Sequence, residues 1–258
     1  MMFLLAKAAI VILICITLIW LLSVFLKDAS IVDIFWGSGF VIANGVYFFS
    51  QEFIYTRHII LLVLVTLWGL RLTIYLAYRN IGKGEDFRYQ EFRWKYGPQR
   101  YWWVSFFQVF LLQGALMLIV SLPLLGTNYA TQTNQINWID YMAIGVWIVG
   151  FLFETVGDIQ LTRFKSNVSN KGKVLNTGLW KYTRHPNYFG DSVVWWSYAF
   201  FCISSGIYWP IIGSVGMTFL IIKVSGVSLL EDTLKDKKPE YQKYIKQTSS
   251  FFPWFPKK

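Results

Sequence analysis

The sequence predicts an all-α, polytopic membrane protein, and three observations support this. Hydrophobic residues make up 55% of the 258 residues and charged residues only 15%. The apolar residues form long uninterrupted blocks, near the ~20 residues that a helix needs to cross a bilayer core. Lysine and arginine residues gather in alternate connections between the blocks, a pattern typical of cytosolic loops. We expect a single membrane-embedded domain over 1–258, since no repeat or linker divides the chain.

Seven blocks are predicted to cross the membrane. The last two predictions have the weakest support, because Ser204-Ser205-Gly206 makes a very short turn and Lys223 interrupts the final block. The first block is too long for the apolar region of a signal peptide, so we expect a retained helix. The predicted spans are Met2–Leu26, Ile31–Phe49, Ile59–Tyr78, Val104–Leu125, Trp138–Gly157, Tyr188–Ser204 and Tyr208–Leu230.

The basic residues predict the orientation. They cluster after the third and fifth spans and in the C-terminal tail, whereas the connections after spans two, four and six contain Arg57 as their sole lysine or arginine. The positive-inside rule then places the N-terminus outside and the C-terminus in the cytosol. Anionic lipid facing the cytosolic loops accounts for most of the net charge of +10, so this charge requires no nucleic acid.

Two charged residues inside predicted spans are candidates for function. Asp33 follows the start of the second span, and Arg71 lies within the third. A charged side chain in the bilayer core costs at least ~3 kcal/mol, so such residues usually face a cavity or a partner. Asp33 is therefore either a catalytic acid or a buried structural group, and it is a candidate partner for Arg71. Gly37 and Gly39 permit close helix approach nearby.

A pair of carboxylates ends the fifth span. Glu154 and Asp158 are four residues apart and therefore share one face of a helix. Arg163 and Lys165 follow within two turns. The segment is either an ordinary salt-bridged helix end or part of a binding site.

The densest group of functional side chains occupies 175–191, at the start of the sixth span. It reads Leu-Asn-Thr-Gly-Leu-Trp-Lys-Tyr-Thr-Arg-His-Pro-Asn-Tyr-Phe-Gly-Asp. Pro186 suits the first turn of a helix, whose unpaired N–H groups bind anions. Arg184 beside it can hold a phosphate through two hydrogen bonds. One interpretation is a site for a phosphate-bearing cofactor, and the other is a topology signal with a helix cap.

The run NTGLWKYTRHPNYFGD resembles the signature of the steroid 5-alpha-reductase-like membrane proteins, and specifically their bacterial branch, DUF1295. The EDFRYQ run and the FFPWFP segment resemble that branch too, so the resemblance extends over nearly the whole chain. It implies NADPH-dependent reduction of a C=C bond conjugated to a carbonyl, in a steroid-like or other lipophilic substrate. It also implies a cofactor-binding part mainly within 79–258 and a location in a bacterial inner membrane, in contact with membrane lipid. The oligomeric state stays open.

The resemblance implies roles for particular residues. Asp33 matches the acid that holds the steroid carbonyl, while Trp68 departs from a tyrosine of the mammalian members and Arg71 follows one turn later. Because that phenol is missing, the steroid specificity of those relatives does not follow. Burial disfavours a charged carboxyl group, so Asp33 is expected to stay protonated and donate a hydrogen bond. The implied cofactor-binding residues are Arg88, Tyr89, Glu154, Asp158, Lys165, Arg184, His185, Asn187, Tyr188 and Asp191.

Some of these implied contacts are more specific. Asn187 and Asp191 are expected to contact cofactor hydroxyls or the carboxamide, and Arg184 and His185 the phosphates. Lys165 replaces an arginine of the family, which keeps the charge but loses the planar fork. The cytosolic ends of spans two, three, five and six are expected to surround one pocket open to both cytosol and lipid.

Two other functions stay open at this stage. Membrane enzymes that methylate isoprenylcysteine or phospholipid with S-adenosylmethionine have a closely similar Arg-His-Pro-x-Tyr element. A non-enzymatic lipid-binding protein is the third candidate. Asp33, the Glu154 and Asp158 pair and the EDFRYQ run favour the reductase. Templates of soluble enzymes are missing from the sequence, which has no GxGxxG after a strand, no P-loop and no cysteine cluster for zinc.

Overall fold

The computed structural model describes residues 1–224 and 239–257, and most of these residues are helical. Short 3₁₀ and π-helical segments join the α-helices, and Thr183 and Ser249 form an isolated parallel β-bridge. The chain divides into two compact units, Met1–Ile136 with Ser205–Pro210 and Asn137–Ser204 with Ile211–Lys258. The all-α prediction is confirmed, and a single domain over 1–258 stays a prediction.

The first unit contains three long apolar helices followed by shorter ones. Lys27 ends the first helix in a left-handed conformation, with φ of 56°. Gly97, with φ of 71°, separates the fourth helix from the fifth, which Pro98 begins. The helices are α1 (Met2–Leu26), α2 (Ile31–Phe49), α3 (Thr56–Asn80), α4 (Phe87–Tyr96), α5 (Pro98–Ser105), α6 (Leu112–Val120) and α7 (Leu122–Ala130), with a π-helical segment at Phe106–Leu111.

Glycine allows α2 and α3 to pack closely. A Cβ atom on Gly37 would lie 2.3 Å from the carbonyl oxygen of Gly69, and one on Gly69 would lie 2.6 Å from the carbonyl oxygen of Gly37. A Cβ atom on Gly39 would lie 2.6 Å from the sulfur of Met117. The close helix approach predicted at Gly37 is therefore confirmed, whereas Gly39 makes room for the Met117 side chain.

The second unit is organised around a long helix. Asn137 caps this helix, because its side-chain oxygen accepts from the N–H of Ile139 at 2.9 Å while Asp140 accepts from the Asn137 N–H at 2.9 Å. The described helices of the unit are α8 (Trp138–Ser166), α9 (Pro186–Ser204), α10 (Ile212–Phe219) and α11 (Pro239–Gln247). The 3₁₀ turns of this unit are Val168–Asn170 and Gly178–Lys181, and α10 continues into a π-helical segment, Leu220–Val224. A further 3₁₀ turn, Trp209–Ile211, begins in the chain segment assigned to the first unit.

Five stretches within the described residues are long and apolar enough to cross a membrane, so the protein is of the membrane class. They are Met2–Leu26, Ile31–Phe49, Thr56–Asn80, Pro98–Val120 and Trp138–Ser166, and they correspond to the first five predicted spans. The sixth predicted span is helix α9, and the seventh is represented by the shorter apolar stretch Trp209–Val224. Its remainder, 225–230, lies outside the described residues. The count of seven and the orientation of the termini stay predictions.

Candidate active site

Asp33, in the first turn of α2, is the centre of a hydrogen-bonded cluster in the first unit. Tyr89 donates its phenol hydrogen bond to Oδ1 of Asp33 at 2.6 Å, and Arg88 donates from Nη2 to Oδ2 at 2.7 Å. Gln113 donates from Nε2 to the Tyr89 hydroxyl at 3.2 Å. Both Asp33 oxygens accept hydrogen bonds, which suits a carboxylate. The expected role of Asp33 as a protonated donor does not fit these contacts, since the donors are Tyr89 and Arg88.

Two acidic residues before α4 hold Arg88 and Tyr89 in place. Asp86 caps α4 by accepting from the backbone N–H of Arg88 at 3.0 Å, and it also accepts from the Arg88 Nε at 2.8 Å. The Asp86 N–H in turn donates to the Ser30 hydroxyl at 2.7 Å. Glu85 accepts from the N–H of Ala29 at 2.9 Å. The start of α4 is thus tied to the turn that precedes α2 and Asp33.

The contacts in and around this cluster shift the pKa values of Tyr89, Arg88 and Asp86. Burial, together with the negative charge of Asp33, raises the pKa of the Tyr89 phenol far above its ordinary value, so Tyr89 remains a phenol. Burial works against the charge of Arg88, but the hydrogen bond to Asp86 and the charge of Asp33 outweigh it and raise the guanidinium pKa. Burial also opposes the charge of Asp86, yet hydrogen bonds from Arg88 and the charges of Arg88 and Arg79 lower its carboxyl pKa.

Trp68 and Arg71, the other two predicted catalytic residues, lie on α3, and their surroundings differ from one another. Trp68 is fully buried, with its ring centroid 5.8 Å from that of Phe40. The guanidinium of Arg71 lies 5.5 Å from the centre of the Tyr75 ring. Trp68 therefore packs in the core beside the close approach of α2 and α3. The tyrosine that hydrogen-bonds to Asp33 is Tyr89, which supplies a phenol that Trp68 does not.

In the second unit, α8 and α9 meet through three glycines. A Cβ atom on Gly190 would lie 2.3 Å from the backbone nitrogen of Glu154 and 2.5 Å from the carbonyl oxygen of Gly150. A Cβ atom on Gly157 would lie 3.0 Å from the backbone nitrogen of Asn187. The two backbones are thus pressed together at the point where α9 begins.

This crossing brings together Asp158 and Asn187. Asn187 donates from Nδ2 to Oδ1 of Asp158 at 3.0 Å. The Asn187 Oδ1 is shielded from solvent and accepts no hydrogen bond from the described residues. Buried polar atoms normally have a partner, so this oxygen is a ready acceptor for an N–H or O–H of a ligand. The structure therefore joins two residues that the sequence predicted to bind the cofactor.

Two other acidic residues, Glu154 and Asp191, lie about one helical turn from this pair along α8 and α9. Glu154 and Asp158 are each only 3% exposed, so the predicted shared face of α8 is a buried one. Asp191 follows Asn187 by about one turn on α9, and Lys165 is exposed in the last turn of α8.

Arg184 contacts the chain's own C-terminal helix. Its Nη1 donates to the carbonyl oxygen of Ile245 at 3.0 Å and to that of Thr248 at 2.5 Å. A cation at the C-terminal end of α11 complements the partial negative charge of the helix carbonyls. His185 is buried and stacks on Tyr188, with ring centroids 5.6 Å apart. Phosphate binding by Arg184 and His185 stays a prediction.

A sequence model of the family described as "Protein of unknown function (DUF1295)" matches residues 19–248, which is most of the chain. The protein therefore belongs to the DUF1295 family. An uncharacterized protein of Schizosaccharomyces pombe is similar, with 27% identity over 267 aligned positions that cover 91% of this chain and 75% of that protein. No solved structure matches.

In this DUF1295 protein, the sequence predicted most residues of the Asp33 cluster as functional but did not predict that they contact one another. Asp33 was predicted as catalytic, and Arg88 and Tyr89 as cofactor-binding, yet the three form one cluster. Gln113 was missed as a member, although an amide inside an apolar span was a signal for it. Asp86 was missed as well, and its position two residues before Arg88 is typical of a helix cap.

Proposed function

We propose that this DUF1295 protein is an NADPH-dependent reductase of C=C bonds conjugated to a carbonyl, in a steroid-like or other lipophilic substrate. The observation that supports this most strongly is the Tyr89 phenol, which Asp33 and Gln113 hold as a protonated donor in the first unit. Reduction of an enone needs a hydrogen-bond donor for the carbonyl oxygen, where negative charge develops. Methyl transfer from S-adenosylmethionine to a thiol or lipid has no such requirement.

Tyr89 and Arg88 have different roles in the proposed reaction. The phenol of Tyr89 turns from Asp33 to the substrate carbonyl and donates to the developing enolate oxygen, and a proton from solvent then adds to the α-carbon to give the saturated ketone. Arg88 keeps its ion pair with Asp33 at 2.7 Å, so the carboxylate charge stays compensated when the phenol moves. Asp33 then acts as a positioning residue that orients both donors. Trp68 is assigned to packing because it is buried against Phe40.

The pair formed by Asp158 and Asn187 fits a nicotinamide cofactor. Bound NADPH would supply the hydride. The shielded Oδ1 of Asn187 can accept from the carboxamide N–H or a ribose O–H, and the Asp158 carboxylate can accept from a second hydroxyl. Exposed basic residues near the end of α8, such as Lys165, are candidates for the phosphates together with Arg184 and His185, and Arg184 also anchors the end of α11. The preference for NADPH over NADH rests on this surplus of positive charge.

The proposal includes the finer topology. Seven spans with a cytosolic C-terminus would leave the basic connection between α8 and α9 on the side where NADPH is available. In a bacterium this membrane is the inner membrane. Membrane lipid would then surround the protein, and the lipophilic substrate would arrive through it.

Nucleotide-dependent melting tests the proposal. The protein purified in detergent is heated with NADPH, NADH or S-adenosylmethionine, each at the same concentration. A ligand at 100 times its dissociation constant stabilises the folded protein by about 2.7 kcal/mol. We expect the largest rise in melting temperature with NADPH. The Asn187→Ala variant should lose this rise, while Asn176→Ala, which changes an exposed asparagine in the connection between α8 and α9, should keep it. A rise with S-adenosylmethionine and none with NADPH would overturn the reductase in favour of the methyltransferase.

A further inference from the structure

An apolar groove of about 250 Å³ opens on the surface of the second unit. It is lined by Phe153, Tyr182, Pro253, Trp254 and Phe255. Trp254 is 72% exposed and Phe255 is 77% exposed, so these rings present apolar surface outward instead of filling a core. The groove is separate from the Asp158 and Asn187 pair, and the proposed reductase makes no use of it.

Hydrogen bonds and ring contacts hold the groove in shape. The N–H of Trp254 donates to the carbonyl oxygen of Tyr182 at 2.9 Å, and the rings of Tyr182 and Phe255 pack edge to face with centroids 6.1 Å apart. Phe153, also in the lining, is held by Phe189, with ring centroids 5.3 Å apart. The exposed aromatic side chains therefore belong to a formed surface.

Positive charge borders the groove. The Nζ of Lys181 lies 6.0 Å from the ring centre of Tyr182, and the exposed Lys257 follows Phe255 by two residues. Glu240 is the sole acidic residue within 163–185 and 239–257, which also contain many lysines. An apolar slot with a cationic edge is complementary to a ligand that has an apolar chain and an anionic head.

The surroundings indicate where such a ligand comes from. Phe153 lies on α8, which is long and apolar enough to cross a bilayer, so one wall of the groove continues a lipid-facing helix. Tryptophan and tyrosine rings next to lysine are typical of the headgroup level of a membrane. The volume is below the ~300–1,000 Å³ of pockets for drug-sized molecules, and it suits a length of acyl chain better than a fused ring system.

We propose that this groove binds one acyl chain of an anionic phospholipid from the bilayer, with the lipid phosphate held by Lys181 and Lys257. The site is independent of the reductase proposal, because no residue that lines it belongs to either polar cluster.

Quenching of Trp254 fluorescence tests the proposal. The whole protein in detergent is titrated with phosphatidylglycerol or phosphatidylcholine whose acyl chains carry bromine, which quenches tryptophan on contact. The Trp254 signal is the difference between the wild-type protein and Trp254→Phe, which keeps an aromatic wall but removes the reporter. We expect saturable quenching that is stronger with phosphatidylglycerol. Quenching that rises with bromolipid without saturating would mean a simple interfacial anchor and would overturn the proposal.

Lysine variants test the anionic head. Lys181→Gln should weaken phosphatidylglycerol binding about fivefold and leave phosphatidylcholine binding unchanged, because one lysine near anionic lipid contributes ~1 kcal/mol. Lys171→Gln, at an exposed lysine of the same connection, is the matched control and should change neither. Equal melting temperatures of the two variants without lipid would verify folding. Equal affinity of the two variants for phosphatidylglycerol would contradict the proposal. A dimer of the protein in which neither bromolipid quenches Trp254 would contradict it as well.

Discussion

Replacing Gly190 with alanine is expected to force α8 and α9 apart. The new Cβ atom would lie 2.3 Å from the backbone nitrogen of Glu154 and 2.5 Å from the carbonyl oxygen of Gly150. Both are below the 3.0 Å that real Cβ contacts respect, and both neighbours are backbone atoms that a rotamer change cannot move. Overpacking of this kind costs about 1–3 kcal/mol. Asp158 and Asn187 lie on the same two helices, so their hydrogen bond should be disturbed as well.

Thermal unfolding in detergent measures both effects. For a chain of this size a loss of about 1–3 kcal/mol lowers the melting temperature by roughly 2–10 °C. Gly145→Ala is the matched control, because Gly145 is also on α8 but has no atom within 4 Å of the position that a Cβ would take. That variant should melt at or above the wild-type temperature, since alanine favours helix over glycine by about 1 kcal/mol. We also expect Gly190→Ala to lose the melting rise with NADPH. If both alanine variants melt alike and both respond to NADPH, the close crossing does not organise the site.

Three further changes test other parts of the structure. Tyr89→Phe should lower the reduction rate by about 10²–10³-fold with little effect on NADPH binding. Tyr96→Phe, on the same helix, should leave the reduction rate unchanged. An unchanged rate in Tyr89→Phe would exclude its phenol as the donor. Because Arg88 lowers the pKa of Asp86, the Asp86 carboxylate stabilises the folded protein above about pH 4, and this stabilisation is lost as the pH falls through the lowered pKa. The melting difference between wild type and Asp86→Asn should therefore be constant from neutral pH to about pH 5 and shrink below about pH 4; a difference that shrinks on the alkaline side would contradict this. Arg184→Gln should loosen α11 and speed tryptic cleavage after Lys243 about tenfold or more, since hydrogen bonds to a charged group contribute about 1.5–3 kcal/mol. Arg163→Gln is the control and should leave the rate of this cleavage unchanged.

Local features of the sequence predicted the helices and several site residues. The first five spans followed from apolar runs alone, because a bilayer-spanning helix is specified by its own composition. Asp33 stood out for a similar reason, since a carboxylate in an apolar run needs a partner. Gly37 also indicated its close helix contact from its sequence context.

The partners could not be predicted in the same way. Arg88 and Tyr89 are 55 and 56 residues from Asp33, and only the packing of α4 brings them to it. Arg184 shows a second limit, because the N–H groups of a guanidinium can donate either to phosphate oxygens or to the carbonyl oxygens at the end of a helix. Its position before Pro186 predicts an anion site, and the sequence did not indicate that its guanidinium also donates to the carbonyl oxygens of Ile245 and Thr248.

Transfer of deuterium tests the proposed reaction most directly. The purified protein is incubated with a lipophilic enone and NADPH that carries deuterium at its hydride position, and the product is analysed by mass spectrometry. We expect a saturated ketone with deuterium on the former β-carbon, formed much more slowly by Tyr89→Phe and not at all by a variant that cannot bind the nucleotide. A product without deuterium would contradict the reductase. So would transfer of a labelled methyl group to a lipid or thiol acceptor when the same preparation is given labelled S-adenosylmethionine instead.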